Sequence, residues 1–204
     1  MIRIYNSVKK NVGGEIKLKK LVSNIYKMLL ILVVVLVLMI LVIIVICANT
    51  LTKNNRDLGS HRVEMKVGEG DKKAVVIYQP AAMSNVMEKA TEGITEGLNQ
   101  TGYDVLIDYC GEHIESDLSE YDVIVYGAPA YAGHASKILV NTVSRVKNYT
   151  ENQKVCIFSV GMMDTTTELD DIVNKVNGVV NKTKKFKASD EDIQEQSKKW
   201  ASEF

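Results

Sequence analysis

The stretch Ala74 to Leu98, AVVIYQPAAMSNVMEKATEGITEGL, decides the fold. Ala74 to Tyr78 is a short continuous apolar run, the pattern of a strand buried on both faces, and it halts at Gln79 and Pro80, where a helix cannot run on. After a few small residues, Ser84 is placed to cap a helix whose apolar positions Val86, Ala90, Ile94 and Leu98 recur every four residues on one face. Strand, loop and helix in this order are the opening of a parallel α/β unit. Such a loop lies at the carboxyl end of its strand and aims the amide hydrogens of a helix N-terminus at its occupant, which favours an anion, typically phosphate. Every unit of this kind has such a loop, however, and many of them bind nothing.

Downstream, the alternation continues. Tyr103 to Tyr109 (YDVLIDY) reads as a second strand entered through the turn at Thr101 and Gly102, and Asp122 to Tyr126 (DVIVY) as a third that stops at Gly127. Cys110 to Tyr121 between them is polar and irregular. A helix over Ser136 to Lys147 follows, then a fourth strand, Lys154 to Val160 (KVCIFSV), ending at Gly161. Thr165 to Val176 is helical by the spacing of Leu169, Ile172, Val173 and Val176, and Val179 to Lys187 is a more polar fifth strand at an edge. The last helix takes its capping signal from Ser189 to Asp192 and carries Ile193, Trp200 and Phe204 on one stripe. Five strands alternating with four helices predict one doubly wound domain around a five-stranded parallel sheet, spanning residues 73–204, because parallel neighbours need crossovers.

Upstream, the composition changes character. Met28 to Ala48, MLLILVVVLVLMILVIIVICA, has no charged residue, and at about 1.5 Å per residue it covers roughly the 30 Å of a bilayer core. It reads as a transmembrane helix. A cleaved signal peptide is the competing reading, but its apolar core runs to about 7–15 residues and is followed by a small-residue cleavage site, absent here. Cys47 invites a lipid-attachment reading that Ile46 argues against, so it is taken as an ordinary lipid-facing thiol.

The formal net charge of zero conceals segregation. The head, residues 1–27, holds seven Lys and Arg against Glu15 alone, whereas Ala74 to Phe204 holds 12 basic and 20 acidic residues. With Lys53, Arg56, Arg62 and Lys66 on the other side of the span, the seven-to-four bias places the head in the cytoplasm and the domain on the non-cytoplasmic side of the cell membrane as a single-pass protein. A basic head beside such a span argues for the membrane and against nucleic acid. Residues 49–72, with Gly59, Gly68, Gly70 and mixed charges, read as a tether.

The runs AVVIYQP, EGLNQTGYDVLIDY, SEYDVIVYGAPAYAGHASKIL and KVCIFSVG together resemble a flavodoxin-like domain, over essentially Lys73 to Phe204. The most diagnostic piece is YGAPAYAG, Tyr126 to Gly133, which is similar to the family's second flavin-contacting loop. The resemblance implies a strand order of 2-1-3-4-5 and FMN held at the ends of the first and third strands, the topological switch point. It makes Tyr131 the ring that covers the flavin, with Ala128, Ala130, Ala132 and Gly133 giving close backbone access and Gly161 nearby; a loop aromatic merely packed on the domain is the plainer reading of Tyr131. The phosphate loop would be Gln79, Ala81, Ala82, Met83, Ser84, Asn85 and Val86. There the chain departs from the family pattern, with Ser84 and Val86 where a Gly and a closing Thr are expected, although backbone amides at Met83 to Met87 still suit a phosphate.

Other chemistry is thin. The three Cys lack CxxC spacing, and Cys110 and Cys156 stand three strand spacings of about 4.8 Å apart in the implied order, too far for a disulfide. His61, His113 and His134 are scattered. Glu112, Glu115, Asp117 and Glu120 suit a solvated loop better than a metal site or a docking patch for a basic partner. No P-loop lysine, GxGxxG or nucleophile–base pair supports a hydrolase, kinase or nicotinamide domain. Two functions remain: a membrane-anchored FMN-dependent electron carrier or oxidoreductase served by a separate redox partner protein or by quinone, and a flavin-free flavodoxin-like module for protein interaction at the membrane.

Overall fold

The structure, a computed structural model, describes residues 2–66 and 72–204, with side chains described from Lys20 onward, Asn54 excepted. Gly68 and Gly70 of the expected tether lie outside the described residues, as do the side chains of the head from Arg3 to Lys19. The chain forms two units, residues 1–49 and 50–204.

The first unit belongs to α1, Ile2–Asn54, a helix longer at both ends than the 21 apolar residues that predicted it. Its stretch Lys20–Lys53 is long and apolar enough to cross a membrane by length and composition, and its apolar side chains are exposed.

The second unit has a six-stranded sheet: β1 Val63–Met65, β2 Lys72–Tyr78, β3 Tyr103–Tyr109, β4 Val123–Pro129, β5 Lys154–Gly161 and β6 Val180–Lys187, in the order β1-β3-β2-β4-β5-β6. β2 to β6 are all parallel and are the five expected strands in the expected order. β1 is an addition from the stretch read as tether. It runs antiparallel to β3, with Val63 opposite Ile107 and Met65 opposite Val105, and covers what would otherwise be an open edge. Asp108 fixes the chain leading into it, accepting hydrogen bonds from the His61 amide at 2.6 Å and from the Ser60 hydroxyl at 3.2 Å, while the His61 ring stacks on Tyr109.

Helices cover both faces. α2 (Val86–Gln100) and α5 (Ile193–Ala201) share one apolar core with Val76, Tyr78, Phe158 and Phe186, and α3 (Lys137–Arg145) and α4 (Thr167–Val173) share the other with Ile77, Ile124, Tyr126 and Ile157. α2 and α5 touch through Gly93 and Gly97, where an added Cβ would stand 2.1 Å from the Gln194 carbonyl and 2.4 Å from that of Lys198. Helix starts differ from expectation by a residue or more. Asn85, not Ser84, precedes α2, and Asp192, the last residue of the expected capping signal, precedes α5; neither side chain makes a capping hydrogen bond. β4 also runs on through Gly127 to Pro129, because it is paired on its far side by β5 as far as Val160.

Candidate functional site

The parallel order reverses between β2 and β4, so their carboxyl ends open onto a crevice flanked by the loops that follow them. The first loop, Gln79 to Asn85, leaves β2 anchored by the Gln79 amide, which donates to the Gly127 carbonyl at 3.0 Å. The Gln79 side chain turns inward and is buried; its amide oxygen accepts from the Cys110 thiol at 2.9 Å. Burial pushes the Cys110 thiol well above its ordinary pKa, so the pair stays neutral and the loop stem is pinned by an uncharged hydrogen bond. Beyond the stem, Ala81 and Ala82 are half-buried, Met83, Ser84 and Asn85 are exposed, and Val86 starts α2. No side chain caps that helix, so its first-turn amides keep their capacity to donate.

The second loop follows β4. Ala128 is still inside the strand and is fully buried in the core shared with α3, so it lines the core rather than a loop. Ala130 donates its amide to the Val160 carbonyl at 2.8 Å. The chain then makes a tight turn in which Tyr131 and His134 exchange backbone hydrogen bonds at 3.1 and 3.0 Å, with Ala132 and Gly133 at φ of 52° and 79°. Both central residues are left-handed, the geometry of a hairpin turn that twists with the strands. Gly133 takes it freely, but Ala132 is strained by roughly 1–2 kcal/mol. The turn projects Tyr131 toward the first loop, where its hydroxyl accepts the Ala82 amide hydrogen at 3.1 Å. That one bond joins the two loops singled out in the sequence.

A third loop, which the sequence reading touched only at Gly161, completes the rim. A side chain at Gly161 would meet Ala130, and Thr167 donates its hydroxyl to the Gly133 carbonyl. The exposed Met162 and Met163 stand at the tip. Beneath it, the fully buried Glu168 accepts from Ser159 at 2.8 Å and pairs with Lys185, which also donates to the Thr165 carbonyl. In the sequence, Gly161 at the strand end was the signal of this rim, and the two adjacent methionines after it went unread. His134 faces Asp171 at 3.1 Å on the outer side of the second loop. Two of the acids from Glu112 to Glu120 have local partners: Glu120 pairs with Lys73 at 2.9 Å, and Asp117 accepts from the Asn148 side chain at 3.0 Å.

No protein-family model and no curated protein matches this chain. Solved structures do. The second unit is similar to oxidised flavodoxin 1 from Bacillus cereus (TM-score 0.50, 14% identity, 65% of this chain and 95% of that one). It is similar as well to a flavodoxin from Streptococcus pneumonia TIGR4 (0.51, 18%, 64% and 95%). The rubredoxin oxygen:oxidoreductase from Desulfovibrio gigas matches over 64% of this chain and 35% of its own length, at 0.50 and 17% identity. At such identities these likenesses show the fold, which is flavodoxin-like.

Proposed function

We propose that this chain is a membrane-tethered, flavodoxin-like electron-transfer protein that holds FMN at the carboxyl ends of β2 and β4. The observation that carries the proposal is the meeting of the loop of Gln79 to Val86 with the turn of Ala130 to Gly133 at the switch point, joined by the Tyr131 hydroxyl on the Ala82 amide. The residues fit the group at both ends. The uncapped first turn of the 15-residue α2 supplies amide donors and a positive dipole end for a phosphate, with Ser84 adding a hydroxyl. At the other end the turn holds an aromatic ring, Tyr131, suited to covering a flavin face and excluding water from it. FMN, when bound, would supply the redox chemistry; the chain supplies orientation and electrostatics.

Binding asks Tyr131 to release Ala82, so that the ring can cover the ligand and the amide can serve it. The flavin-free interaction module remains the second reading, and the same bond favours it, since the side chain meant to hold the ring already uses an amide of the phosphate loop. In this reading electrons come from a separate redox protein or from quinone in the bilayer, to which α1 gives proximity. The seven-to-four bias of Lys and Arg puts the domain on the non-cytoplasmic side.

The test compares FMN with riboflavin, which lacks the phosphate. In the variant Val86→Thr, FMN binding should tighten by about tenfold or more, as one added charge-assisted hydrogen bond would give, while riboflavin binding stays unchanged. Equal change for both ligands would remove the phosphate from this loop. Absence of FMN binding in both natural and altered chains, each folded by circular dichroism, would leave the interaction module as the function.

A further inference from the structure

We propose that a second cavity, between α2 and the β1–β3 edge of the sheet, binds a short linear alkyl diamine. The cavity is about 480 Å³ in volume. One wall is aromatic: the Tyr78 and Tyr109 rings meet edge to face at 5.3 Å, and His61 stacks on Tyr109 at 4.6 Å. The opposite wall is the acidic face of α2, with Glu88 and Glu92 one helical turn apart. Aliphatic side chains from β1 and β3 close the space between.

Two polar atoms there have unmet needs. Thr91 is only 2% exposed, lines the cavity, and has a buried hydroxyl without a hydrogen-bond partner. Glu88 is half-buried with one carboxylate oxygen likewise unpartnered, and desolvation together with the neighbouring Glu92 charge raises its pKa. Such groups cost free energy unless something in the cavity answers them. Of the three acids on this face, Glu96 is already neutralised by Lys198 at 3.0 Å, whereas no ion pair forms at Glu88 or Glu92 among the described residues.

The chemistry selects the guest. Two carboxylates beside π-faces attract a cation, and the rings add attraction for an ammonium within about 6 Å of their centroids. A hard divalent metal wants six or more oxygen ligands, which an aromatic and aliphatic wall does not supply. Residues four apart on a helix are separated by about 6 Å along its axis, so two ammonium groups on a short apolar chain match Glu88 and Glu92 together. Thr91, between them in sequence, is placed to accept a further N–H.

The experiment is calorimetric titration of the full chain in detergent with 1,4-diaminobutane, beside 1-aminobutane, which has the same apolar stem and one charge. Binding of one diamine per chain is expected, at least about tenfold tighter than the monoamine, because the second carboxylate adds a charge-assisted contact. Glu92→Gln, an exposed change that leaves the fold intact by circular dichroism, should weaken the diamine about tenfold and leave the monoamine nearly unchanged. Equal affinities for the two amines, an unaltered diamine affinity in Glu92→Gln, or no binding of diamine by the folded chain would each overturn the proposal.

Discussion

Replacing Tyr131 by Phe keeps the ring and deletes the hydroxyl that accepts the Ala82 amide hydrogen at 3.1 Å. If flavin binding must break this bond, the substitution removes a cost from binding rather than a contact. A neutral hydrogen bond contributes about 0.5–1.5 kcal/mol net, so the unliganded domain should lose that much stability, and FMN should bind about two- to twelvefold tighter. Tyr131→Ala also breaks the bond to Ala82 but deletes the ring, whose stacking is worth about 0.5–1.5 kcal/mol beyond the apolar area it buries. With that area lost as well, its FMN affinity should fall below the natural chain's by up to about tenfold. The assay is quenching of FMN fluorescence on titration with the purified chain, run in parallel for the natural protein and both variants. Opposite signs for Phe and Ala support a ring that covers the flavin and a hydroxyl that competes with it. Equal weakening in both would make the hydroxyl itself a flavin contact, and no change in either would take Tyr131 out of the site.

Three further outcomes test the structure around that site. Gly97→Ala gains about 1 kcal/mol of helix propensity but drives a Cβ to 2.4 Å from the Lys198 carbonyl, and overpacking of that kind costs roughly 1–3 kcal/mol; thermal unfolding should show a net loss of stability, with Gly93→Ala, 2.1 Å from the Gln194 carbonyl, worse. Ala132→Gly relieves about 1–2 kcal/mol of strain at φ 52° against roughly 0.5–1 kcal/mol of added chain entropy, so the melting temperature should rise by about 1–4 °C. The Asp57 carboxylate, held below its ordinary pKa of 3.8 by the amides of Glu112 and Gly59, stabilises the fold above that value and ceases to do so as pH falls through its lowered pKa; Asp57→Asn should therefore lose less stability than the natural chain between pH 5 and pH 2 on acid unfolding.

The strands were legible because AVVIY, YDVLIDY, DVIVY and KVCIFSV are apolar runs of strand length bounded by Gly, Pro or charge, the pattern that two-sided burial demands. β1 was not, since VEM is three exposed residues in a charged segment and owes its conformation to pairing with β3 rather than to any preference of its own. The stripe of Ala90, Ile94 and Leu98 found the buried face of α2, but Gly93 and Gly97, four apart, carried a second message: a helix packed against backbone. At the site, turn residues marked where the strands end, but the switch-point position of both loops came from the flavodoxin-like resemblance, which implied the strand order the sheet has. The Tyr131 to Ala82 bond was not, because it joins groups 49 residues apart through a left-handed Ala that no pattern announces. Ala128 was read as loop because Gly127 and Pro129 resemble a strand end, yet pairing with Ser159 keeps it in the sheet. The Glu168–Lys185 pair under the third loop left no trace either, since two charges 17 residues apart read as ordinary surface until the fold buries one of them completely.

The most direct measurement of the central claim is a visible absorption and fluorescence titration of FMN with the full chain purified in detergent. The account predicts saturable binding of one FMN per chain, with a perturbed flavin spectrum and quenched emission from a ring held against Tyr131. A folded chain that leaves the flavin spectrum and emission unchanged throughout the titration would contradict it.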